Sequence, residues 1–386
     1  MGFQLGNPIV YWVLRSIVLL SFFLSGYLIS YKDKGGKFYW KYSSICIIIY
    51  SLVEGLRWNR GVDYPHYYQD LTGKLFQEYD DYAYLLWVDV FKYTGLPYWV
   101  AFIFYSFLFV LGFCLVLKFF RKQAIWALPL FFIITIVSSE TLIRQFFAMA
   151  IAEFALYYLL KKKYIAAVIY SVIAFEIHSS VLMILGLIVL IHYIHFDKKI
   201  KTGWLLVAVY AVFYFFWDPS YLDPISDWMS KLSFGDEDSR VNGYLSNADF
   251  WFSSESSLSD RLGTESKIAS IFTTTITFVT NCIIIKFGFD VTKIQPKYRI
   301  MYWMVFFSFM LFIFSNNGDF EIWSRLSVMT RFLLPVVIAG IVTELKMNKI
   351  ERYAIYGILG VYFLYNSFFS MWGQVGVMGC AFVWDK

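Results

Sequence analysis

Between Arg57 and Tyr68 the chain reads Arg-Trp-Asn-Arg-Gly-Val-Asp-Tyr-Pro-His-Tyr-Tyr, directly after an apolar run. Two guanidinium groups, a carboxylate, an imidazole and three phenols share these twelve positions. A guanidinium fork grips phosphate oxygens in pairs and keeps its charge when partly buried. A carboxylate or imidazole beside it can take a proton from a hydroxyl. Further along, Glu140-Thr-Leu-Ile-Arg144-Gln145 sets a carboxylate and a guanidinium four apart, the spacing of a simple helix ion pair. His178 stands before two serines, and Arg325 and Arg331 come late in the chain. Together these residues have the chemistry to bind a phosphorylated ligand and to activate a hydroxyl.

The elements that must position them are membrane helices. The 386 residues are 59% hydrophobic and 22% aromatic but only 16% charged, with a mean hydropathy of +0.58. A soluble domain would carry roughly a quarter charged residues. Apolar runs of about 15 to 23 residues recur from end to end, which predicts an all-α polytopic membrane protein. Cutting at the charged clusters gives about twelve spans, near 9–31, 40–56, 98–117, 123–139, 141–160, 164–178, 180–195, 203–217, 268–287, 299–315, 326–345 and 353–371. The first lacks a preceding basic region and a small-residue cleavage site, so it reads as a retained helix. Lysine clusters at 32–41, 118–122, 161–163, 198–201, 286–297 and 346–349 then all fall on one side, the cytoplasmic one. Both termini and the Arg57 stretch are expected on the other side.

Arginine does not follow lysine. Arg15, Arg57, Arg60, Arg144, Arg240, Arg261, Arg325 and Arg331 fall at the outer loops or in outer helix halves. Ionisable groups there are expensive and tend to be functional, although snorkelling to lipid headgroups explains a single arginine equally well. The natural ligand of the whole set is a lipid-linked phosphate or pyrophosphate. The run from Tyr164 to His195 is too long for one span, has lysines at both ends, and must fold back near His178. Each arm then reaches only about 22 Å of a core roughly 30 Å thick. His178 is therefore expected in a recess. Two long outer loops, about 57–97 and 218–267, are expected to carry short interfacial helices, and no linker divides the single transmembrane domain 1–386. Cys46, Cys114, Cys282 and Cys380 lack a CxxC pairing, and Asp236-Glu237-Asp238 is a weak metal signal, so no metal and no cofactor is expected. No repeat of the transporter kind and no nucleotide-binding motif is present.

Arg57-xxx-Gly61-x-Asp63-Tyr64-xx-Tyr67 resembles the first-outer-loop motif of the EpsG/Wzy-type polysaccharide polymerases. Arg144-Gln145 through Ala148, Ala152 and Lys161-Lys162-Lys163 to Phe175-Glu-Ile-His178-Ser179-Ser180 is similar to that family's central block, and Arg325-Leu326 to its late arginine. The resemblance implies a GT-C-like glycosyltransferase of the bacterial cytoplasmic (inner) membrane. Such an enzyme joins undecaprenyl-pyrophosphate-linked oligosaccharide repeats into O-antigen or capsule on the periplasmic or extracellular side. Its partners would be lipid-linked donor and acceptor, membrane lipids and a chain-length regulator, with no nucleic acid. Arg57, Arg60, Tyr64, Tyr67, Arg144, Gln145, Arg240, Tyr244, Arg325 and Arg331 would then contact substrate. His178, Asp63 or Glu140 would be the base, and the residues alone leave the choice open. The rival readings are a lipid-linked oligosaccharide flippase, whose charges should lie near the midplane, and an O-antigen ligase-like transferase, which differs only in acceptor.

Overall fold

The computed structural model describes residues 6–61, 63–73, 81–218, 221, 267–315, 321–365 and 380–385. Every element longer than a turn is a helix: α1 Pro8–Tyr27, α2 Tyr39–Gly55, α3 Tyr64–Thr72, α4 Tyr82–Thr94, α5 Tyr98–Leu117, α6 Ala124–Thr141, α7 Ile143–Leu160, α8 Tyr164–Ile177, α9 Val181–Tyr193, α10 Gly203–Phe216, α11 Lys267–Ile294, α12 Arg299–Phe314, α13 Glu321–Arg331, α14 Leu334–Glu344 and α15 Lys349–Tyr365. Each expected span carries helix. Among the described residues, five stretches are long and apolar enough to cross a membrane unaided, or six if Ser324–Arg331 and Leu334–Glu344 form one broken span. One of the five, Tyr98–Thr141, holds two helices, α5 and α6, joined at Lys118–Gln123. The loop expected over 57–97 does carry two short helices, α3 and α4. The loop expected over 218–267 lies almost wholly outside the described residues.

The chain divides into two compact units, one of residues 1–190, 334–343 and 360–386 and the other of residues 191–333 and 344–359. The first unit is built around α7, which packs on α5 and α8 and is buried along nearly its whole length. Small residues make this possible: Ala148, Ala152 and Ala155 on α7 are buried, and Gly112 of α5 lies against Ala150 and Glu153. Without a hydrophobic drive between helices in lipid, close backbone approach is what holds such pairs together. Around them α2 packs on α5, and α1 on α2 and α6. The side chain of Asn7 caps α1 by accepting from the Ile9 and Val10 N–H groups, with Pro8 at the first helical position.

The arms of the short hairpin are α8 and α9, of 14 and 13 residues. They break at His178–Ser180 as their lengths require, and His178 is buried. Residues 380–385 return to the end of the unit where α1 begins. Val383 N–H donates to the Leu56 carbonyl and Trp58 N–H to that of Ala381, both at 2.9 Å, around an antiparallel bridge between Arg57 and Phe382. Gly6 lies against Ala381. Gly6 and residues 380–385 therefore come together beside the Arg57 stretch. The lysine-bearing turns 32–37, 118–122 and 161–163 lie at the opposite ends of the same helices.

In the second unit α10 packs on α11 and α12 on α13. Its helices are joined by polar contacts of the kind membrane bundles use. Ser308 and Ser327 donate reciprocally to each other's carbonyl at 2.8 and 2.9 Å, Asn281 Nδ2 donates to the Tyr210 hydroxyl at 3.0 Å, and the Tyr302 hydroxyl to the Ile285 carbonyl at 2.9 Å.

Gly26 of α1 tests the packing of the first unit. A Cβ there would lie 2.9 Å from the Ile125 Cα, and backbone cannot move aside as a side-chain tip can. Gly26→Val is expected to lower stability by about 1–3 kcal/mol, read as a fall in the melting temperature of the protein in detergent, while Gly186→Ala, with open space around it, changes it far less.

Candidate active site: one arginine left over from a buried charge ring

At one end of the first unit four charged side chains close a ring. Arg15 Nη1 lies in an ion pair 2.8 Å from Glu54 Oε1, and Arg15 Nη2 donates to Glu140 Oε1. Arg60 donates from Nη2 to Glu54 Oε2 at 3.2 Å, and its Nε lies in an ion pair 2.7 Å from Glu140 Oε1. All four are buried, Glu54 completely. Charges alternate around the ring, so its net charge is zero, which is what lets it survive away from water. Tyr11 lies under both guanidinium groups at 4.9 and 5.2 Å, and Phe382 under that of Arg60 at 4.9 Å. Gly61 adopts a φ of +99°, and a Cβ there would run into the Glu140 carbonyl oxygen. The glycine four after Arg57 is therefore needed for the loop to lie on the end of α6.

One sequence expectation is corrected by this ring. Glu140 pairs with Arg15 and Arg60 and not with Arg144, because the helix breaks at Leu142 (φ −96°, ψ 56°) and the two residues leave on different helices. Glu140 and Arg60, expected as a base and a substrate contact, are both engaged in the ring. Of its members, Glu54 was not expected at the site and Arg15 only as one of the outer arginines. The signal for Glu54 was available, as a carboxylate in an apolar run one turn before two arginines.

Arg57 is different. It is 4% exposed, donates from Nη1 to the Glu54 carbonyl at 3.1 Å and lies 5.2 Å over the Phe102 ring. Among the described residues it pairs with no carboxylate, and its Nε has no hydrogen-bond partner. Burial draws its pKa below the ordinary value, against the pull of Glu140 and Glu54, but a guanidinium remains charged under such conditions. It lines a small pocket with Tyr50, Tyr105, Ser106, Ser139 and three phenylalanines. The Tyr50 and Ser139 hydroxyls are paired at 3.1 Å on its wall. Tyr64, on the expected list, supports Arg57: its hydroxyl donates to the Arg57 carbonyl at 3.1 Å and its ring stacks on Phe102 at 4.7 Å. Burial raises the Tyr64 pKa, so the phenol stays neutral. Half-buried Trp58, Tyr68 and Tyr98 pack edge-on and tilted beside it, 4.8–5.7 Å between ring centres.

A second charged group lies across α3, α4 and α7. Arg144 Nη1 forms an ion pair with Asp81 Oδ2 at 2.9 Å, and its guanidinium lies 5.1 Å over the Tyr84 ring. The Tyr84 hydroxyl donates to Asp70 Oδ2 at 3.1 Å, and His66 Nε2 is 3.7 Å from the same oxygen. Tyr67 packs edge-on to Tyr84 at 6.0 Å. Asp70 and Asp81, both buried, were missed in the sequence, where nothing local ties them to Arg144.

The remaining expected residues are dispersed. Asp63 is the half-buried N-cap of α3. Gln145 is buried with its Oε1 unpartnered among the described residues. His178 Nδ1 accepts from the Ser180 N–H at 3.3 Å and contacts its hydroxyl at 2.8 Å. An amide can only donate, so the neutral ring carries its proton on Nε2. Arg325 and Arg331 belong to the second unit, where both are half-buried and Arg331 donates to Ser327 Oγ at 3.4 Å and lies over Phe312. Arg240 and Tyr244 lie outside the described residues.

The ring makes a clear stability prediction. Removing one carboxylate leaves a buried guanidinium uncompensated, so Glu140→Ala is expected to cost about 3–5 kcal/mol. Pairing it with Arg60→Met should return part of that loss. Thermal unfolding of the three purified variants in detergent checks both statements; equal melting temperatures for wild type and Glu140→Ala would refute the ring's role.

Searches against curated proteins and against solved structures each gave no match. A family model, described as the EpsG family, matches residues 40–378, which takes in Glu54, Arg57, Gly61, Asp63, Arg144, His178 and Arg325. With most of its length inside that match, this helical membrane protein belongs to the EpsG family, of the polysaccharide-polymerase kind.

Proposed function

We propose that the protein is a polysaccharide polymerase that joins lipid-pyrophosphate-linked oligosaccharide repeats at the outer face of the cytoplasmic membrane. Its twelve helical stretches would cross or enter the membrane in a GT-C-like arrangement. The observation that carries this reading is Arg57: a buried cation that, among the described residues, is in ion-pair contact with no carboxylate, held by the loop whose motif matches the family, on a small pocket of hydroxyls and apolar side chains. A buried cation without an anion is unfavourable on its own, so the site is completed by an anionic ligand. Pyrophosphate is such a ligand, and it is already a good leaving group.

In the reaction, a hydroxyl of the acceptor repeat attacks the anomeric carbon of the donor. The bond from that carbon to the pyrophosphate oxygen breaks with its electron pair. Arg57, fixed before the reaction begins, stabilises the charge that gathers there. The rings of Trp58, Tyr68 and Tyr98 offer flat apolar faces to the sugars. His178, whose Nε2 carries the proton, acts as a donor to a leaving or ring oxygen, and the acceptor's proton goes to a base on α3, whose first turn holds Asp63. Arg325 and Arg331 of the second unit, with Arg240 and Tyr244, are retained as substrate contacts. A chain-length regulator is a further partner.

Two measurements test this. In a strain lacking the chain, Arg57→Ala at normal protein level should leave single repeats on the cell surface and abolish the long ladder on a polysaccharide gel. An unchanged ladder would refute the assignment, and loss of the single repeat too would favour a flippase or ligase. Because arginine takes the place of a metal in this scheme, polymerisation in isolated membranes should persist in excess EDTA; its loss, restored by one divalent cation, would contradict it.

A further inference from the structure

The base on α3 can be specified further, and the argument rests on the polymerase reading above. We propose that it is His66, oriented by Asp70, and not Asp63. His66 and Asp70 stand four apart on α3, one above the other on the same face. The imidazole is 37% exposed while the carboxylate beneath it is almost fully buried, with Nε2 3.7 Å from Oδ2. Tyr84 of α4 holds that same oxygen from the other side at 3.1 Å. The Tyr84 ring in turn lies under the Arg144 guanidinium, itself fixed by Asp81. A half-exposed imidazole backed by a buried carboxylate, with that carboxylate anchored by a third group, is the geometry by which general bases are built.

In the proposed step the imidazole of His66 takes the acceptor hydroxyl's proton as the hydroxyl oxygen bonds to the anomeric carbon and pyrophosphate departs. The imidazolium, stabilised by Asp70, then releases the proton to water. Asp63 is the half-buried N-cap of α3, the Nδ1 of His178 is engaged by Ser180, and Glu140 is held by two guanidinium groups.

The bland alternative is that His66–Asp70 is only a helix-stabilising pair, worth a few tenths of a kcal/mol. Membranes containing each full-length variant separate the two, using lipid-linked repeats extracted from cells of the same strain deleted for this chain. His66→Gln should lower kcat by about 100-fold or more with KM nearly unchanged, the usual share of a general base. His66→Ala should show the same loss and regain at least about tenfold on addition of free imidazole, which a merely structural role would not allow. Asp70→Asn, altering a positioning residue, should lower kcat about tenfold at constant KM. The inference is overturned if His66→Gln stays within about threefold of wild type, if the loss lies in KM alone, or if imidazole fails to raise His66→Ala. Should Arg57→Ala be inactive while His66→Gln is active, the base assignment fails and the polymerase reading stands. Normal turnover in both variants would remove the polymerase site itself.

Discussion

A neutral ring of buried charges is the constraint on which the first unit depends. Arg15 from α1, Glu54 from α2, Arg60 from the loop after α2 and Glu140 from α6 meet where water is excluded. No member can be buried alone, because a single ion in such surroundings costs several kcal/mol. The three helix ends and the loop must therefore arrive together, and in one register. Hydrophobic packing in lipid is permissive about register; complementary charge is not. This is how a chain of mostly interchangeable apolar residues specifies one arrangement at the place where chemistry is proposed.

The ring also explains why Arg57 stands out. Arginine near the proposed outer face has two uses here, and they are separated by their partners. Arg15 and Arg60 neutralise carboxylates and fix the loop, and Arg144 is tied to Asp81. Arg57, three residues before Arg60, is carried on the same fixed loop but, among the described residues, is in direct ion-pair contact with no carboxylate. Preorganisation of that kind, a cation held rigidly by neighbours that do not quench it, is what gives electrostatic stabilisation its strength.

Much of this was legible in the sequence, and the reasons for the rest are physical. The helical membrane class followed from composition. The fold-back at His178 followed from two arms too short for a bilayer and lysines at both ends. The Arg57–Gly61–Asp63–Tyr64 stretch was recognisable because polar groups in an apolar chain are conspicuous. What stayed hidden were pairings between residues distant in sequence. Glu140 finds Arg15, 125 positions away, and Arg144 finds Asp81 across a loop. Local spacing pointed to Glu140 with Arg144, and a single non-helical residue, Leu142, undid that. Glu54 was visible as an oddity but not as a partner, since nothing in a sequence says which of several arginines a carboxylate will meet.

The short β-like pairing of residues 380–385 with Leu56–Trp58 has a consequence in time. At about 5–20 residues per second of synthesis, Phe382 emerges on the order of tens of seconds after Arg57. Throughout that interval the loop lacks the strand that pins its backbone, and Arg60 lacks the Phe382 ring beneath it. The Arg57 loop consequently takes the form described here only after residues 380–385 have been made.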